Sequence, residues 1–134
     1  MPLVSTELSS QYWEPVSTGP VALADLSAYP PTEPPATIAA AGNFTSAVTP
    51  GDGFKVISAS VTSSQAGAIS IQRYFDQAGT IPQGAPVSTA LSAATPGIVT
   101  VNDGLPYRSF TVKITNTGGV TANITNFALL LSAT

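Results

Sequence analysis

Three aspartates sit in settings that suit carboxylate chemistry. Asp52 lies between two glycines in Gly51-Asp52-Gly53, Asp76 opens Asp76-Gln-Ala-Gly79, and Asp103 is central in Asn102-Asp103-Gly104. Carboxylates of this kind serve calcium as oxygen ligands, or glycoside hydrolysis as an acid–base pair. Turn formation is the simpler account, because an Asp in a turn accepts hydrogen bonds from its own backbone. No Asp-x-Asp-x-Asp spacing marks a calcium loop. The chain has no histidine and no cysteine. Imidazole relays, thiol nucleophiles, Cys/His zinc sites, disulfides and haem ligation are therefore excluded. Carboxylates, Tyr, Ser and Lys remain for catalysis, and they form no recognisable constellation. The sequence predicts no enzyme, no cofactor and no metal. It holds no phosphate-binding glycine motif, and Gly118-Gly119 reads as a hairpin turn.

Aromatic residues offer a second kind of chemistry. Tyr74, Tyr107 and Arg108, with Phe75 beside them, make a possible surface patch for stacking on a sugar. The competing reading is strand-face packing with one cation–π contact. Tyr12-Trp13 lies in a proline-rich stretch that has little else to bury. It reads as an anchor inserted into a partner's pocket, since buried aromatics dominate interface energies. Leu23, Leu26 and Tyr29 extend the set of expected partner-binding anchors.

These groups need a scaffold, and composition bounds it. The 134 residues are one domain's worth of chain. Leu, Ile, Val and Phe make up 33 of them, enough for a modest core. Charged residues are only 8%, so the surface is built from Ser, Thr, Asn and Gln. Lys plus Arg is 4, too few to neutralise nucleic-acid phosphates. No apolar run approaches the ~20 residues of a bilayer span, the longest being Phe127 to Leu131. The N-terminus shows no basic segment followed by an apolar one, so no secretion signal is read, and the missing cysteines agree with intracellular synthesis.

The chain divides near residue 40. Residues 1–35 hold seven of the twelve prolines and the acids Glu7, Glu14, Asp25 and Glu33, with no Lys or Arg, a charge of −4. The remainder is +1. An extended arm is expected over 1–40 and a body over 41–134. Within the arm, Tyr29 to Pro35 should be polyproline-like, and Val21 to Leu26 suits a short helical turn. The body reads as short strands over 54–62, 68–75, 87–91, 98–101, 108–115 and 121–131. A phase change near Val56-Ile57 suggests a bulge or a strand covered on both faces. Gln65-Ala-Gly67, Thr95-Pro-Gly97 and Asn102-Asp-Gly104 read as turns, and 108–131 as a closing hairpin. The fold class is all-β, an antiparallel sandwich or jelly roll.

Two segments carry a resemblance. The run Ser60-Val-Thr-Ser-Ser-Gln-Ala-Gly-Ala-Ile-Ser-Ile-Gln72, followed by Asp76, resembles a recurrent segment of phage virion β-sandwich domains. Pro106-Tyr-Arg-Ser-Phe-Thr-Val-Lys-Ile-Thr-Asn-Thr-Gly118 and Thr125 to Leu131 resemble the final hairpin of the same domains. The resemblance covers about residues 43–131, not the arm, and departs at Ser64, where those domains commonly have Asp. It implies a non-enzymatic virion part: a capsid cement or decoration protein on the outer shell, with the major capsid protein as partner. A carbohydrate-binding spike or tail-fibre module is the alternative. The apolar final strand calls for a cover, so a homo-oligomer is expected, a trimer before a dimer.

Overall fold

The computed structural model of the protein describes residues 23–133. They form ten strands. These are β1 (Leu23–Asp25), β2 (Thr37–Ile38), β3 (Asn43–Thr45), β4 (Thr49–Pro50), β5 (Val56–Ser63), β6 (Gly67–Tyr74), β7 (Val87–Leu91), β8 (Thr95–Val101), β9 (Ser109–Asn116) and β10 (Ala122–Ser132). One sheet has the order β1-β10-β5-β8 with β2 also on β10, and the other β3-β9-β6-β7 with β4 also on β9. All pairings are antiparallel.

β1 and β2 are two halves of one edge strand. β1 lies along Leu130 to Ser132 and β2 along Ala122 and Asn123, with residues 26–36 looping out between them. β3 and β4 divide the edge of β9 in the same way. At each break a serine fills the gap in the ladder. Ser27 Oγ accepts the Leu129 N–H at 3.1 Å, and Ser46 Oγ accepts the Val112 N–H at 2.9 Å. With the halves joined, the sequence of strands and their neighbours is that of an eight-stranded jelly roll.

Alternation along the strands explains the core. In β5, Ile57, Ala59 and Val61 point inward, and in β6 Ile69 and Ile71 do. Phe110, Val112 and Ile114 of β9 and Leu129 and Leu131 of β10 close the interior between the sheets. Each such side chain contributes roughly 1.5–3 kcal/mol by leaving water.

Several expectations need correction. Residues 108–131 are not a hairpin, because β9 and β10 belong to different sheets. The connection is an arch pinned by Asn116, which is 1% exposed. Its Nδ2 donates to the carbonyls of Ile38, Ala39 and Val120, and its Oδ1 accepts the Gly118 N–H. β5 alternates regularly and has no bulge. The bulge lies in β10 between Thr125 and Ala128, where Asn126 takes φ 55°. Thr95-Pro-Gly97 is part of β8; the turn comes earlier, at Ala94 with φ 59°. Pro96 is tolerated because β8 is an edge strand.

The N-terminal expectations change too. Leu23–Asp25 is a strand on β10, not a helical turn. Tyr29 to Pro35 begins with a turn, in which the N–H groups of Thr32 and Glu33 both donate to Tyr29 O. Thr32 is fully buried, its hydroxyl within bonding distance of the Leu26 and Tyr29 carbonyls. Residue 40 is therefore no edge of the packed unit, since β1 and β2 are bonded to the last strand.

Candidate functional site

Four crossings between the sheets, at residues 39–42, 64–66, 92–94 and 117–121, make one end of the sandwich. The other end carries Leu23, Ser132 and the loops after β4, β6 and β8; it is the terminal end. Every charged residue between positions 51 and 108 lies there: Asp52, Lys55, Arg73, Asp76, Asp103 and Arg108.

Arg73 continues the inward phase of Ile69 and Ile71 at the end of β6 and is 7% exposed. A buried guanidinium needs a partner. Asp103, in the loop after β8, supplies it through two parallel bonds, Nη1 to Oδ1 at 2.8 Å and Nη2 to Oδ2 at 2.5 Å. The Leu105 N–H also donates to Asp103 Oδ1. These bonds, the arginine's first, hold the Asp103 carboxyl down at about 2. Arg73 also lies 5.8 Å from the centre of the Tyr107 ring, which meets Phe110 edge-on at 6.4 Å. Burial pushes the Tyr107 phenol up to about 12, against the pull of Arg73. Its hydroxyl is buried without a hydrogen-bond partner among the described residues.

The other aspartates serve turns. Asp76 Oδ1 accepts the Thr80 and Ile81 N–H groups, and Oδ2 accepts the Thr80 hydroxyl. These bonds hold its carboxyl below the usual range. Asp52 sits in the turn after β4 with φ 50°.

The three residues of the expected sugar patch are not brought onto one surface. The outward Tyr74 places its hydroxyl 3.4 Å from Thr111 Oγ1 on the outer face of its sheet. Tyr107 packs inward on Arg73 and Phe110, and only Arg108 is fully exposed. Alternation separates Tyr74 from Arg73 and so from Tyr107. Of the expected anchors, Leu23 is 60% exposed, Leu26 is half-buried against the core, and Tyr29 is 42% exposed. Tyr12 and Trp13 lie outside the described residues.

The terminal end exposes apolar side chains, of which sequence reading singled out Phe75 and passed over Ile81 and Leu105. Phe75 and Ile81, joined by the Phe75 N–H to Ile81 O bond, are each 55% exposed, and Leu105 is 51% exposed. The signal was present: apolar residues in loops, where no strand periodicity explains them. Lys55 and Arg108, exposed at the same end, make no ion pair among the described residues. A cleft of about 110 Å³ opens there between Phe54 and Tyr107, bordered by Gly53, Lys55 and Pro106. Compared with known proteins, the chain matches no family model and no curated protein.

Proposed function

We propose that the protein is a non-enzymatic capsid cement or decoration subunit of a phage virion, attached to the outside of the assembled shell through its terminal end. One observation carries this reading. Leu23, the residue to which the leading 22 are joined, stands at the end where Phe75, Ile81 and Leu105 are exposed. A leading segment and an apolar surface on one end together suit docking onto a larger body.

The rest of the molecule supports it. β5, β8 and β10 carry no charged residue. Their outer face is dressed with hydroxyls such as the Ser58–Thr100 pair at 3.1 Å. Such a surface is insensitive to pH and salt. Pro2, Pro15 and Pro20 reduce the entropy lost when residues 1–22 are ordered on a partner. Glu7 and Glu14, with no Lys or Arg in that segment, suit a basic groove on the major capsid protein. The mechanism is mass action: a subunit that binds only the assembled shell shifts the equilibrium toward it.

Undecorated shells titrated with the purified protein test this. The disruption temperature of the shells should rise with occupancy. Saturated shells that come apart at the unliganded temperature would overturn the proposal.

A further inference from the structure

We propose that the cleft between Phe54 and Tyr107 receives residues 12–15 of a second copy of this chain, with Trp13 entering between the rings and Glu14 pairing with Lys55. The inference rests on the reading of residues 1–22 as an attachment segment and names its partner. Two aromatic walls and Pro106 make the cleft a ring-binding slot, and Lys55, which makes no ion pair among the described residues, places a cation at its border. Gly53, at φ 83°, has nothing within 4 Å of where a side chain would begin, so the mouth is open on that side. In Tyr12-Trp13-Glu14-Pro15 an aromatic pair is followed directly by an acid, the complement of that slot.

The length of the leading segment selects the copy. Leu23 pairs with Ser132, which pairs with Val56, so Leu23 stands two strand spacings from the Lys55 region, about 10 Å. Pro15 and Pro20 favour extended chain between Glu14 and Leu23, and nine residues at ~3.1 Å each span about 28 Å. An extended segment of that length carries Trp13 past the chain's own cleft, which favours a neighbouring copy as the recipient. A slot on one copy filled by the segment of the next is a head-to-tail contact, which closes into a ring and suits the trimer expected from the sequence.

A charge exchange between two full-length variants tests this, read by light scattering during size exclusion. The native chain should assemble. Glu14→Lys alone and Lys55→Glu alone should each associate about tenfold more weakly, because every segment then meets a like charge. An equimolar mixture of the two should regain part of the association, because in a mixed ring of three two of the three segments meet a cleft of opposite charge. Trp13→Ala should weaken association without lowering the melting temperature. A native chain that stays monomeric, single variants that assemble normally, or a mixture no better than its components would overturn the inference. Docking within one chain predicts that last outcome, with recovery only when both substitutions share a chain. Shell binding is read separately, so failure here leaves the cement reading standing or falling on its own titration.

Discussion

Arg73, Asp103 and Tyr107 show how one buried charge organises its surroundings. Removing Asp103 strands a guanidinium in the interior, whereas removing Arg73 frees a carboxylate that is 43% exposed. Asp103→Ala should therefore cost about 2 kcal/mol, and Arg73→Met clearly less, by chemical denaturation. Because the folded carboxyl titrates well below its usual 3.8, the pair's contribution is complete above about pH 4 and fades as pH falls toward 2. The native chain should lose stability across that window, and the Asp103→Ala variant should lose less. Tyr107 behaves oppositely. Its raised phenol makes the unfolded state ionise first, so stability should fall between about pH 10 and 12. Tyr107→Phe should abolish that alkaline loss. At neutral pH it should be neutral or stabilising by about 1 kcal/mol, since it deletes a hydroxyl that has no partner.

Among the elements, β10 and the arch before it hold the most specific information. Asn116→Ala should cost about 2 kcal/mol, because it removes the bonds that tie the arch to the Ile38, Ala39 and Val120 carbonyls, of which Ala39 O keeps the Gly42 N–H as a donor. A thermal melt would show it. Asn126 occupies a left-handed position at the β10 bulge, so Asn126→Val should destabilise by about 1–2 kcal/mol and Asn126→Gly hardly at all. The bulge was legible in retrospect. Inward residues run Ala122 and Ile124, then Leu129 and Leu131, and that change of parity requires one extra residue. Alternation also gave β6, β7 and β9 nearly to the residue. What alternation does not encode is which sheet a strand joins. Asn-Thr-Gly-Gly suits a hairpin and an arch equally, and only the carbonyls that Asn116 reaches on a distant segment decide between them. Ser27 and Ser46 escaped notice for the same reason, since each acts through a backbone group far along the chain.

At the scale of the whole molecule, the jelly roll separates fold from attachment. The buried core runs from Ile38 to Leu131, so a chain beginning at Leu23 should melt within about 2 °C of the full-length protein. The same truncation should abolish binding to undecorated shells, measured by co-sedimentation. Replacing Phe75 and Ile81 together by Ser should also weaken shell binding while sparing the melt, since both are more than half exposed. The all-β class was readable from strand alternation and turn residues. The apolar terminal end was not, because it is assembled from the start of β1 and two loops that only the folded topology brings together.

The two serine-filled gaps have a consequence for how copies of this chain meet one another. An unbroken flank of either sheet would offer its open backbone groups to the flank of the next subunit, the starting point of a fibre. Here one flank is interrupted twice, its exposed ladder replaced by hydroxyls already engaged, and β8 on the opposite flank is blunted by Pro96. Crowded subunits can thus stand shoulder to shoulder without zipping into insoluble aggregates.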